Sequence, residues 1–168
     1  PDPSQREFVL LIDGVRDMRE VLRDMRMNRF EVLEFFYRFR TAGWIRPKNA
    51  FELLMLAENR RSEFDNQKRV RLLERVNELG VEGFDIMLPL AQTYEEMGDA
   101  GKAAPFFRRH ALRAMNDGDL EGALRAARSA VKLRGDDIEL RELTIDLLVK
   151  LDRPDEAAQA YLELAALA

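Results

Sequence analysis

Few side chains here could carry out chemistry. Cysteine is absent and His110 is the only histidine. This excludes disulfides, iron–sulfur clusters, thiol nucleophiles and cysteine-ligated zinc, and argues against a histidine metal cluster or a serine–histidine triad. His110 sits mid-segment between Arg109 and Ala111. With no second histidine or cysteine to work with, it reads as a partly buried structural residue. The adjacent carboxylates Glu95/Glu96 and Asp136/Asp137 fall near helix ends, and the second pair reads as the cap of the helix that follows. No glycine-rich phosphate loop of the P-loop or dinucleotide type is present. The expectation is therefore a non-enzyme with no catalytic residue, metal site or cofactor. What the chain can offer is surface.

Those surfaces need elements to carry them. The 168 residues are 46% hydrophobic and 35% charged, enough apolar content for a buried core and too much for general disorder. No uninterrupted apolar run of about 18 residues occurs, which argues against a transmembrane helix. Apolar spacing is helical throughout, and no alternating β-branched stretch is long enough for a sheet. Asp13-Gly14 is a turn pair. Asp17 to Glu20 and Asn28 to Glu31 are capping boxes that open two helices, and Gly43 closes the second of them. Asn49 to Glu52 is a third box. It starts a helical stretch that runs toward Leu79 as one helix, or as two with a break near Asp65-Asn66. The part from Glu58 to Arg71 carries only Phe64 and Val70 as large apolar residues and reads as a solvated connector. From residue 84 five helices follow: Phe84–Met97, Lys102–Asn116, Leu120–Leu133, Ile138–Leu151 and Asp155–Leu167. Their connections are too short for anything but antiparallel neighbours.

Two turns repeat. Gly118-Asp119-Leu120-Glu121-Gly122-Ala123 and Asp152-Arg153-Pro154-Asp155-Glu156-Ala157 lie 34 residues apart, and that offset is the tetratricopeptide period. An earlier copy runs from Leu90 to Asp99, followed by Lys102-Ala103 and Phe107. The chain over roughly 82–168 resembles a tetratricopeptide repeat array. Gly98 and Gly118 are only 20 residues apart, so the helix between them serves as second helix of one unit and first of the next. The resemblance implies a right-handed solenoid whose first helices line a concave, peptide-binding face. The inward positions implied are Arg108, Leu112 and Asn116 in one unit and Glu142, Asp146 and Lys150 in the next. Glu142 and Asp146 are like charges one helical turn apart, which a partner's basic group, or Lys150, would offset.

The first fifty residues resemble something else. Leu11 to Arg16, Phe30 to Leu33 and Ala42 to Ile45 are similar to the C-terminal half of a PATAN-type domain, a winged-helix-like family of bacterial signalling proteins. This implies an all-α chain of three parts: a winged-helix-like unit at 1–49, a connector helix or helix pair at 50–80, and tetratricopeptide-like repeats at 81–168. With Pro1 first and no initiator Met, the chain reads as a piece of a longer cytoplasmic protein, lacking the other half of that domain.

The two resemblances imply a protein or peptide partner and a scaffolding role in bacterial signalling. The alternative is transcriptional regulation through DNA contact, with Arg26, Asn28, Arg29, Arg38, Arg46 and Lys48 as the contact set. Charge argues against it. Residues 1–49 hold ten basic and eight acidic side chains, whereas residues 81–168 hold eleven and seventeen, so the C-terminal half repels a polyanion. Glu31 and Glu34 also stand on the helix that would enter the groove. That helix carries Phe30, Phe35, Phe36, Tyr37 and Phe39, too many for one buried face. Either the next helix (Phe51, Leu54, Met55) covers the other side, or the patch takes a dimer mate or the missing half-domain.

Overall fold

The computed structural model describes residues 3–25, 27–59, 65–80 and 85–167. Among these residues every regular element is an α-helix, with no strand. Two compact units are present, residues 1–49 and 50–168, each with its own apolar core.

The first unit holds α1 (Pro3–Leu11), α2 (Met18–Asp24) and α3 (Arg29–Thr41). Short polar motifs set its corners. Asp13 Oδ1 accepts hydrogen bonds from the backbone N–H groups of Val15 and Arg16 at 2.8 and 2.9 Å. Burial raises the Asp13 carboxyl, but those bonds and the Arg16 guanidinium outweigh it and hold the group below the usual carboxylate range. Both expected capping boxes form: Asp17 with Glu20, and Asn28 with Glu31. Gly43 then turns the chain with φ +75°, while Trp44 N–H reaches back to Phe39 O at 2.9 Å. The core is Phe8, Val21, Met25, Val32 and Phe35. The Phe8 ring of α1 lies 4.9–5.4 Å from Phe35, Phe36 and Phe39. Within the unit, α1 therefore fills one aromatic side of α3. Phe30 and Tyr37 stay exposed.

The second unit is a run of seven described helices: α4 (Ala50–Asn59), α5 (Asn66–Glu78), α6 (Met87–Glu96), α7 (Ala100–Asn116), α8 (Leu120–Leu133), α9 (Ile138–Lys150) and α10 (Pro154–Ala165). Each packs on the next. One continuous core runs from Ala50 and Ala57 through Leu73, Leu90, Ala111 and Leu124 to Leu148 and Ala157. Residues 60–64, which separate α4 from α5, lie outside the described residues. The solvated connector expected at 58–71 does not hold at its C-terminal end, because Arg69 and Val70 are buried. A charged residue looked like surface in the sequence. Here it is taken up by partners from α4 and α6.

Small residues make close approach of α7 and α8 feasible: Ala103, Ala104, Ala111, Ala123, Ala126 and Ala127 are all buried. The two turns 34 residues apart adopt related backbones. Gly118 (φ +85°) and Asp152 (φ +56°) are both left-handed at equivalent positions. Helix starts repeat as well, with α5 and α7 opening at Asn66 and Ala100 and α8 and α10 at Leu120 and Pro154.

Candidate functional site

Two long-range side-chain contacts link α7 to α9. Arg108 Nη2 is 2.8 Å from Glu139 Oε2, and Lys150 Nζ is 3.7 Å from Met115 Sδ. Aspartates fix both helices at their starts: Asp99 accepts from Lys102 N–H and Asp137 from Leu140 N–H. Between the helices opens a cleft of about 210 Å³, lined among others by Pro105, Arg108, Arg109, Leu112, Arg134 and Leu140. Three guanidiniums thus rim one small cleft. Arg108 is engaged by Glu139, Arg134 stands 3.8 Å from Asp137, and Arg109 lies over the Phe106 ring at 5.6 Å.

The expected groove residues divide within this geometry. Arg108 and Leu112 line the cleft, and Asn116 is exposed at the end of α7. Lys150 pairs with Asp146 at 2.5 Å, so Asp146 is offset from within the helix. Glu139 and Lys150 mark the side of α9 that faces α7. Glu142 falls about 70° round the helix from them, on the side of the exposed Ile138 and Val149. Glu139 is the groove residue that the sequence reading missed. It stands three positions before Glu142, where no repeat position marked it.

The α5–α6–α7 region adds a network. Tyr94 OH donates to Glu74 Oε1 at 2.5 Å, its ring stacks on Phe106 at 5.7 Å, and Lys102 Nζ sits 5.1 Å above it. Burial pushes the phenol above its ordinary range, and the Glu74 carboxylate pushes it further. Arg69, only 1% exposed, spans three helices: Nη1 donates to Thr93 Oγ1 at 2.8 Å, Nη2 to Glu58 Oε1 at 3.0 Å, and Glu96 stands 3.9 Å away. Its Nε has no hydrogen-bond partner among the described residues. His110, expected as a partly buried structural residue, is largely buried, with Nδ1 2.6 Å from Asp85 Oδ2. The two atoms are close but not aligned as a hydrogen bond, and they bring α7 near the segment entering α6.

The residues expected to meet DNA are not gathered on one face. Arg29 and Arg38 are nine positions apart on α3, which puts them about half a turn apart in azimuth. The Asn28 side chain is occupied in capping α3. Arg46 Nη1 donates to Pro47 O at 3.2 Å, Lys48 approaches Gly14, and Arg26 lies outside the described residues. Glu31 and Glu34 are both exposed on α3. Among the described residues no helix is long and apolar enough to cross a membrane, and no group of three or more His, Asp and Glu could hold a metal ion.

No family model matches the chain, and no curated protein does. Among solved structures it is similar to MamA from residue 41 to its end, from Desulfovibrio magneticus RS-1, at 16% identity, covering 96% of this chain and 94% of that one, with a TM-score of 0.39. A structure described as the MamA RS-1 ArsTM double mutant matches at 16% identity over 98% and 94%, also with TM-score 0.39. Another MamA crystal structure matches at 13% identity over 81% and 80%, with TM-score 0.38.

Proposed function

We propose that this chain is a non-enzymatic protein–protein interaction module. In this reading residues 81–168 are a tetratricopeptide-like helical array, and the face formed by α7 and α9 binds an extended segment of a protein partner. The observation that carries the reading is the pair of side-chain contacts that link α7 to α9, Arg108 with Glu139 and Lys150 with Met115. A cleft lined by Arg108, Arg109, Arg134 and Asp137 opens at the start of α9, and the Asp146–Lys150 pair lies further along the same helix. A surface of alternating sign with a small apolar floor suits a peptide that itself carries mixed charge. The placement of a scaffold role in bacterial signalling rests on the resemblance of residues 11–45 to half of a PATAN-type, winged-helix-like domain. DNA contact by that unit is the weaker reading, since Arg29 and Arg38 diverge and Glu31 and Glu34 face solvent.

The test is capture of partners from a lysate by the wild-type chain and by Arg108→Ala, Asp146→Ala and Lys150→Ala, with Glu142→Ala as the comparison. All four side chains are exposed, so folding should be nearly unchanged. The three facing variants should lose the partner, more strongly at low salt than at high salt. Equal capture by every variant would remove this face as the binding surface.

A further inference from the structure

Two apolar faces on this chain are open to solvent, and their charges are opposite. The first is in the N-terminal unit. A groove of about 600 Å³ runs between α1 and the turn after α3, lined by Gln5, Arg6, Val9, Leu10, Phe39 and Trp44. Its lining is almost wholly apolar, and Leu10 and Trp44 are 78% and 74% exposed. Arg6 stands on its wall, and Arg38 lines the adjoining cleft that shares Gln5, Phe39 and Trp44. Neither arginine has an ion-pair partner among the described residues. Glu7, the one acidic residue of α1, does not line the groove.

The second face is on α10. Ala157 is that helix's only buried residue. Ala158, Tyr161, Leu162 and Ala165 form an exposed i, i+3, i+4, i+7 stripe along it, with Tyr161 and Leu162 at 57% and 68% exposure. Thirty-four residues earlier, Leu124 and Ala127 hold the positions of Ala158 and Tyr161 on α8, and both are buried. The first half of the α10 stripe is thus the counterpart of positions that α8 keeps covered, while Leu162 stands where α8 carries the exposed Arg128. The helix contains Asp155, Glu156 and Glu163 and no basic residue. Asp155 borders the stripe and has no ion-pair partner among the described residues.

We infer that the occupant of the groove between α1 and Trp44 is α10 of a second copy of this chain, with the Tyr161–Leu162 stripe on Val9, Leu10 and Trp44 and Asp155 toward Arg6 or Arg38. A groove rimmed by cations and a helix bearing only anions complement each other, and every copy carries both. The two surfaces differ, so the contact is heterologous. It leaves a free groove at one end and a free α10 at the other, and copies add end to end unless the rotation closes a ring. This goes beyond the peptide-binding reading and uses neither α7 nor the α7-facing side of α9.

The experiment measures the mass of the 168-residue chain by light scattering across a concentration series. Val9→Ser together with Leu10→Ser blunts the groove, and Tyr161→Ser together with Leu162→Ser blunts α10. All four positions are exposed, and circular dichroism checks that both variants keep their helix content. The wild type should grow in mass with concentration, and added salt should weaken the growth. Each double variant should associate at least about tenfold more weakly. An equimolar mixture of the two should stop at a one-to-one dimer, because it retains one intact groove and one intact α10. A wild type that stays monomeric throughout would overturn the inference. So would a dimer that survives both variants, which would point to the exposed Phe30 and Tyr37 of α3 instead. Loss of partner capture by the α7 and α9 variants is a separate readout, so either proposal can fail alone.

Discussion

Arg69 shows how a single side chain can set the relation of three helices. Its guanidinium is out of water, yet Glu58 and Glu96, its carboxylate neighbours, are 37% and 38% exposed. Removing the arginine therefore leaves carboxylates that water can still reach, and the cost falls below that of orphaning a fully buried charge. What is lost is a filled volume, the hydrogen bonds to Glu58 and Thr93, and the link between α4 and α6. Arg69→Ala should destabilise the fold by about 2–4 kcal/mol. Arg69→Met keeps most of the volume and removes the unpartnered Nε, so it should recover part of that loss. Urea midpoints of the three proteins test this, and equal midpoints for Met and Ala would show that packing is not the larger part. Tyr94 gives a pH-dependent counterpart. Its folded-state pKa is raised above its unfolded value. Its contribution is therefore complete below the ordinary tyrosine range and lost as pH rises through about 10 and beyond. Melting temperatures should drop above about pH 10 in the wild type, and that drop should be shallower in Tyr94→Phe.

At the scale of elements, the turns decide most. Asp119 caps α8 through Gly122 N–H at 2.8 Å, and a Cβ added at Gly122 would come within 2.0 Å of the Asp119 carboxylate. Gly122→Ala must push the cap aside, at a cost of about 1 kcal/mol. The equivalent turn 34 residues on is built differently. Asp152 takes the left-handed position that Gly118 holds earlier, and Arg153 precedes Pro154 without a side-chain cap. An aspartate there is strained in a way glycine is not, so Asp152→Gly should raise stability by roughly 0.5–1 kcal/mol. A lowered urea midpoint would mean that the Asp152 side chain contributes more than its backbone costs. Such turns are what made the C-terminal helices legible. Gly-Asp and Asp-Arg-Pro state helix ends locally, and the observed α8 agrees with the expected Leu120–Leu133 to the residue. The C-terminal end of the 58–71 stretch differs from the expectation because periodicity counts an arginine as polar wherever it stands. Only the tertiary partners Thr93, Glu58 and Glu96, 11 to 27 positions away, reveal that Arg69 is inside. The groove suffered likewise: Glu139 joins Arg108 through the relative rotation of α7 and α9, which no spacing within one helix encodes.

At the scale of the whole molecule, the sequence divides into three parts, at 49 and at 80, whereas the structure has two units, residues 1–49 and 50–168, with cores of unequal size. Five buried apolar side chains form the core of residues 1–49, whereas the core of residues 50–168 runs through all seven of its described helices. Burial per residue falls steeply in small units, and near fifty residues an apolar core supplies little surplus over conformational entropy. The first unit should therefore unfold at lower denaturant than the second. The sequence provides a reporter for this difference, because Trp44 is the only tryptophan and sits in the first unit. Its ring lies 5.1 Å from that of Phe39, so loss of that contact changes its fluorescence. Far-ultraviolet circular dichroism, in contrast, is dominated by the helices α4 to α10. In a urea titration the Trp44 signal should pass its midpoint first, and the dichroism should follow with a steeper dependence, since more surface is exposed in that step. Trp44→Phe should leave the later transition where it was. Coincident midpoints for the two probes would show that the units unfold as a single cooperative body, their separate cores notwithstanding.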